Sequence, residues 1–378
     1  MRVVVLGGYG VFGSRVVRSL VEHGELEVAV AGRNGRAAET FCAGLSGRNA
    51  IPITLDCRAQ DALERLQALR PSVVVDTVGP FQERNHALAC GCAERRIHYI
   101  DIADSRRHVC SIADLDPIAR QAGTLVVSGA STVPALSTAV ADELAHELAT
   151  VDAIDVGISP GHRAPRGLAT VESILSYCGH RIPAFQDATP STEFGWGGLH
   201  RHRYSAPVGS RWLSNVDVPE RDLWPSRYPG LRSIRLAAGL ELSVLHFALS
   251  AAARLVRLGV IRSLVPRARV MIRVVDAFDA WGSEAGAMHV RVGGIDQQRR
   301  RVERTWTLIA ERGDGPQIPA TPAAVLVKKL LGVPGYAPLT ERGARPCIGL
   351  LTLTEILNEL APFAIRTRLD EEQVAIAR

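Results

Sequence analysis

The chain predicts an α/β fold, with an N-terminal doubly wound parallel sheet of the Rossmann type followed by a second α+β domain built on an open, largely antiparallel sheet. Three observations carry this. Runs that are apolar throughout, as strands covered on both faces must be, alternate with amphipathic helical segments from Arg2 to Val127. A glycine-rich turn joins the first run to the first helix. Far along the chain, the apolar positions fall at every second residue instead, as in strands with one wet face.

The first strand, Arg2-Val3-Val4-Val5-Leu6, runs into Gly7-Gly8-Tyr9-Gly10-Val11-Phe12-Gly13-Ser14, which is G-x-G-x-x-G at a strand-to-helix turn. Gly8 allows the tight turn, Gly10 lets backbone approach a pyrophosphate, and Gly13 lets the helix pack on its strand. The anion then meets free N–H groups at the helix N-terminus. Gly8, Tyr9, Gly10, Val11 and Phe12 are therefore the expected phosphate-binding turn. The helix keeps Val11, Phe12, Val16, Val17, Leu20 and Val21 on one face and stops at Gly24.

The second strand, Glu27–Ala31, ends in Gly32-Arg33-Asn34-Gly35-Arg36. An NAD site places Asp or Glu about 20 residues past the glycines to hold the ribose 2′-hydroxyl. Here Arg33 and Asn34 occupy that place, and a guanidinium can grip a 2′-phosphate bidentately where a carboxylate would repel it. The expected cofactor is NADP(H).

Strands at Ile51–Leu55, Val73–Thr77, Ile97–Asp101 and Thr124–Val127, with helices near 59–69, 83–95 and 108–122 between them, complete six parallel strands. In such a sheet the ligand lies outside the carboxyl ends of the strands. After the third strand, Asp56 either accepts from an adenine amino group or caps a helix. After the fourth, Val78-Gly79-Pro80-Phe81 is a rigid turn that can run beside the nicotinamide ribose. After the sixth, Ser128-Gly129-Ala130 through Pro134 opens a helix near the reactive end, with Gly129 a further cofactor contact.

The order and spacing of Gly8-Tyr9-Gly10-Val11-Phe12-Gly13, Ala31-Gly32-Arg33-Asn34, Val78-Gly79-Pro80-Phe81, Tyr99-Ile100-Asp101 and Ser128-Gly129-Ala130 through Pro134 resemble the saccharopine dehydrogenase-like family over about the first 180 residues. The resemblance implies NADP-linked redox chemistry in a cleft between the Rossmann domain and a second α+β domain. It does not imply saccharopine as substrate.

Composition is that of a globular chain with room for two cores: 378 residues, 47% hydrophobic and 22% charged. The formal charge of +5 rests on arginine, since Lys328 and Lys329 are the only lysines; those two are expected on a solvated helix face. The arginines are scattered rather than interleaved with aromatics, so nucleic acid is not the expected partner. Seven cysteines without a C-x-x-C indicate neither a disulfide framework nor a zinc site, and with no leader read at the N-terminus they predict a reducing, cytoplasmic setting.

Domains are expected over 1–150 for the nucleotide, 151–320 for substrate and dimerisation, and 321–378 as C-terminal helices returning to the first domain. The second begins with a strand at Ala153–Ile158 and a basic loop holding His162, Arg163 and Arg166, which either binds a substrate carboxylate or phosphate or merely faces solvent. Residues 181–232, with Trp196, Trp212 and Trp224 in irregular sequence, read as a long ordered excursion over the cleft. Within it, His200 and His202 lack the companions a metal site needs. The stretch Leu236–Val265 is apolar but punctuated by arginines, expected as core or homodimer interface ahead of peripheral membrane contact. Strands follow at Arg269–Val275, Ala287–Val292 and Arg304–Ala310, then a helix through Leu331 and another near Leu351–Leu360.

Hydride transfer asks the protein mainly to hold two reactants and supply a proton or fixed charge. The candidates are Asp101 as a polar or proton-handling group and Arg163 as a substrate anion clamp, with Tyr99 and His162 behind them; the alternative for all four is a satisfied structural group. The expected activity is an NADP(H)-dependent oxidoreductase acting on a C=N, C=O or C=C group of a small or carrier-linked substrate; the alternative is a non-catalytic NADP-binding protein that associates with a partner or membrane.

Overall fold

The unbroken apolar runs of the N-terminal half have a direct cause: Val3, Val4, Val5, Val73, Val74 and Val75 have no solvent exposure at all. Each such valine contributes roughly 1.5–3 kcal/mol through burial. The computed structural model describes residues 1–45 and 49–373. Its described residues divide into two units, one formed by Met1–Leu136 with Pro316–Leu360, the other by Ser137–Gly315 with residues 361–373.

In the first unit, strands β1 (Arg2–Leu6), β2 (Glu27–Gly32), β3 (Ala50–Thr54), β4 (Val73–Asp76), β5 (His98–Asp101) and β6 (Leu125–Ser128) form a parallel sheet. Its spatial order, β6-β5-β4-β1-β2-β3, is extended beyond β6 by a seventh strand, Gly343–Pro346, which pairs parallel to β6. That strand was not expected, because Gly-Ala-Arg-Pro has no apolar run to announce it. Strand order reverses between β1 and β4, which places the crevice of the doubly wound sheet at their carboxyl ends. Leu6 stands in register with both Ala31 and Asp76, and Asp76 with Asp101, so the turns after β1, β2, β4 and β5 leave the sheet at one level.

Lys328 and Lys329 are almost fully buried on the helix Gln317–Leu330, correcting the expected solvated face. Each is paired at 2.6 Å, Lys328 with Glu359 and Lys329 with Glu355. Both carboxylates come from the helix Leu353–Leu360.

The second unit holds a mixed sheet built around the long strands β7 (Leu148–Ser159), β13 (Gly286–Asp296) and β14 (Arg301–Ala310), with β14 also pairing the final strand Ile365–Gln373. Residues 181–232 are ordered, as expected, and much of their length is regular secondary structure: β8 (Arg181–Gln186), β9 (Thr189–Phe194), β10 (His200–Arg203), β11 (Ser210–Asn215) and a helix, Glu220–Arg227. β12 (Ser233–Ala238) runs parallel to β7. Trp224 on that helix is wholly buried and donates from Nε1 to Thr138 Oγ1 at 3.0 Å.

Two further expectations change. Arg269–Val275 is not a strand but part of the helix Ala268–Asp276. Its β-branched residues suggest β structure, yet Ala268, Met271, Ile272 and Val275 turn inward while Val270 and Val274 are exposed, a period nearer 3.6 than 2. The apolar stretch 236–265 splits into the end of β12, the helix Ser243–Arg257 and a turn. Among the described residues no helix is long and apolar enough to cross a membrane.

Candidate functional site

The glycine turn is shaped by close backbone packing. Gly7 takes a left-handed φ of +72° and its N–H donates to Ala31 O at 2.8 Å, which ties the turn to β2. A Cβ on Gly13 would sit 2.2 Å from Gly7 O and 2.6 Å from Thr77 Oγ1, so only glycine lets the helix α1 (Gly13–Val21) approach. Thr77 in turn donates to Leu6 O at 2.7 Å, pinning the turn after β4 to the end of β1. The N–H groups of Tyr9, Val11 and Phe12 have no partner among the described residues. Free donors in a turn too tight for side chains suit a pyrophosphate, and this is the observation on which the fit of a dinucleotide rests.

At the end of β2 the ring of Tyr9 lies over Gly32, where a Cβ would come within 2.4 Å of the ring, and its hydroxyl accepts from Asn34 N at 2.9 Å. Asn34 caps α2 (Gly35–Ala43), its Oδ1 accepting from Ala37 N at 3.1 Å, so only its amide nitrogen remains for a ligand. Arg33 is exposed and its guanidinium is unpaired among the described residues. Asp56 spends one oxygen on its own turn, accepting from Arg58 N at 3.0 Å. Arg58, which sequence reasoning missed, is exposed and reaches Gly79 O at 3.4 Å. Its signal was available: it follows β3 as Arg33 follows β2.

The turn after β4 is fixed from below. Asp76, wholly buried, accepts from Val78 N at 2.9 Å, Arg84 Nη2 at 2.8 Å and the Tyr99 hydroxyl at 3.1 Å. Arg84 also donates to Val78 O at 2.6 Å and lies 5.0 Å from the Phe81 ring centre. Val78, Gly79 and Pro80 thus present a shaped, half-buried surface with their backbone groups largely committed to the protein. Burial, with Asp76 and Asp101 nearby, holds the Tyr99 hydroxyl well above its ordinary pKa, which makes it a donor to Asp76 and no source of protons.

Asp101 is likewise wholly buried. Its Oδ1 accepts from Ser128 Oγ at 2.8 Å and from the N–H groups of Gly129 and Ala103 at 3.0 Å each. Its Oδ2 faces His108 Nε2 at 3.3 Å. Asp101 therefore clamps the end of β5 to the end of β6, and the Gly129 N–H is used up in the clamp. The His86 ring packs tilted against His108 with ring centres 4.3 Å apart. Neither histidine was among the expected site residues, because only the fold brings 86 and 108 together.

In the second unit, Arg163 is exposed and donates from Nε to Gly282 O at 2.9 Å, leaving its Nη groups unpaired among the described residues. His162 is buried, its N–H on Glu241 at 2.6 Å and its Nε2 3.1 Å from Val275 O. Arg166 pairs with Asp279 at 3.1 Å. The basic loop is thus stapled to the segment after the helix Ala268–Asp276, with Arg163 the member left reaching outward. His202 stacks on His289 with ring centres 3.8 Å apart, and burial beside His289 lowers its pKa to about 4. Among the described residues no group of three or more His, Cys, Asp or Glu is arranged to hold a metal ion.

Residues 3–127 match the saccharopine dehydrogenase NADP binding domain. None of the curated proteins matches the sequence. Among solved structures, apo saccharopine dehydrogenase (L-Glu forming) from Saccharomyces cerevisiae is similar in fold, with a TM-score of 0.67 and 13% identity, covering 99% of this chain and 100% of that one. A meso-dapdh variant from Clostridium tetani E88 aligns at a TM-score of 0.45 and 11% identity over 96% and 98% of the two chains, too distant to carry an argument.

Proposed function

With residues 3–127 a saccharopine dehydrogenase NADP binding domain, we propose that the chain is an NADP(H)-dependent oxidoreductase. The observation that carries this is the run of unpartnered N–H groups at Tyr9, Val11 and Phe12 leading to the unpaired Arg33. The first would hold the pyrophosphate and the second the 2′-phosphate; Arg58 adds positive charge on the same edge of the sheet. When bound, the nicotinamide supplies or accepts a hydride at the carbon of a C=N, C=O or C=C group, with the proton travelling to or from the other atom.

The protein's own part is positional. Arg84 and Asp76 set the turn Val78–Phe81, and Asp101 sets Gly129 and Ala130. Asp101 is accordingly assigned a positioning role in place of proton transfer, and Arg163 the role of holding an anionic group of the substrate. A small or carrier-linked substrate is the proposed class.

Fluorescence titration with NADPH and NADH, followed by NADPH consumption assays against imine, ketone and enoyl acceptors, tests the proposal. Tight NADPH binding and bleaching with one acceptor class support it. Binding without consumption by any class favours a non-catalytic NADP-binding protein, and binding of neither nucleotide removes the cofactor assignment.

A further inference from the structure

Of the twelve strongly exposed large hydrophobic residues among those described, eight fall between Val244 and Trp281. On the helix Ser243–Arg257, Leu245, Leu249, Ala253 and Val256 face the core. The opposite side is apolar as well: Val244, Phe247 and Leu255 are exposed, with Ala248 and Ala251 between them at helical spacing, and Leu258 follows at 70% exposure. A helix apolar on both sides is normally buried on both. The next helix, Ala268–Asp276, exposes Val270 and Val274 one turn apart, and Trp281 beyond it is 70% exposed.

The same surface is basic. Residues 244–281 contain Arg254, Arg257, Arg262, Arg267, Arg269 and Arg273 against two acidic residues, Asp276 and Asp279, both of which pair with Arg166. All six are exposed, and Arg254, Arg262, Arg269 and Arg273 have no partner among the described residues.

We propose that the helices Ser243–Arg257 and Ala268–Asp276, with the turn between them, dock on an anionic lipid surface. Apolar side chains flanked by unpaired arginines match the acyl and phosphate layers of a membrane interface, with an exposed tryptophan at the boundary. A second copy of this chain fits less well, because a two-fold contact sets the same patch against itself and opposes six arginines to six. The docking adds a place of action to the proposed oxidoreductase and does not depend on its cofactor.

The test is sedimentation of the full chain with vesicles of phosphatidylcholine alone and of an equimolar phosphatidylcholine–phosphatidylglycerol mixture, at low and high salt. Binding should be at least about tenfold stronger to the anionic vesicles and weaken in salt. The exposed pairs Leu255→Asp with Leu258→Asp, and Arg254→Gln with Arg273→Gln, should each lose most of it while melting like the parent. Vesicle binding should also blue-shift the fluorescence in a manner lost in Trp281→Phe. Equal binding to both vesicle types, or undiminished binding by both paired variants, overturns the proposal. So does a parent chain that ignores vesicles and elutes as a dimer which the leucine pair variant converts to monomer, since that assigns the surface to a second copy.

Discussion

His108 Nε2 lies 3.3 Å from Asp101 Oδ2 while its Nδ1 lies 3.2 Å from the carbonyl oxygen of Arg84. Both ring nitrogens face acceptors, so only the imidazolium satisfies both contacts. Burial opposes that charge, but the hydrogen bond and attraction from Asp101 outweigh it and raise the His108 pKa above its ordinary 6.5. A neighbouring histidine does the reverse: burial, and then His108 itself, lower His86.

The raised pKa fixes a sign. The stability that His108 contributes is fully present below pH about 6.5, its unfolded value, and is lost as pH rises through the higher folded value. Urea midpoints of the parent should therefore fall relative to those of His108→Gln as pH is raised from 6 to 8. A constant difference between the two proteins across that range contradicts the imidazolium assignment.

Asp101→Asn tests the positioning role. The amide can still accept from Ser128, Gly129 and Ala103, but its nitrogen can no longer accept from His108. His108 then settles as the neutral Nδ1–H tautomer, so the pH dependence should vanish along with roughly 1–2 kcal/mol of stability. NADPH binding should change little. Were Asp101 the proton carrier, turnover would disappear while stability and its pH dependence stayed as in the parent.

Much of this unit was legible because its signals are local. The run Val3–Leu6 and the glycines at 8, 10 and 13 state a buried strand and a tight turn within a few residues. What escaped depends on long-range pairing. The strand Gly343–Pro346 exists through its ladder with Leu125–Ser128, and His86 meets His108 across separate helices. Whether Asp101 was a satisfied structural group stayed open in the sequence because its four partners come from residues 103 to 129. Arg269–Val275 misled for another reason, since β-branched residues on an exposed helix imitate a strand until their burial is known.

Gly13→Ala should cost about 1–3 kcal/mol and weaken NADPH binding, because the new methyl group would stand 2.2 Å from Gly7 O, a backbone atom that cannot swing aside. Gly24→Ala, whose methyl would meet nothing within 4 Å, is the matched control and should be neutral or stabilising by about 0.4–1 kcal/mol. Thermal melts and a nucleotide titration separate the two; equal behaviour would remove the close approach at Gly13 as the reason for glycine there.

Lys328→Met leaves Glu359 buried beside Tyr336 and Ser19 without its cation, and should lower stability by roughly 3 kcal/mol. Adding Glu359→Leu removes the stranded charge, so the double variant should recover most of the loss in a denaturant titration. A double variant no better than the single one would show that the pair acts mainly through packing.

Arg33→Asp places a carboxylate where the proposed 2′-phosphate sits, turning a charge-assisted contact into a repulsion. NADPH should weaken by roughly 2–3 kcal/mol while NADH, which carries no phosphate there, is nearly spared. Arg58 stands on the same edge of the sheet and leaves a residual preference that Arg33→Asp alone does not abolish. Adding Arg58→Gln should therefore bring the two nucleotides close to equal affinity. If the single variant weakens both nucleotides alike, Arg33 supports the fold of the β2 turn instead of reading the phosphate, and the selectivity must come from elsewhere on that edge.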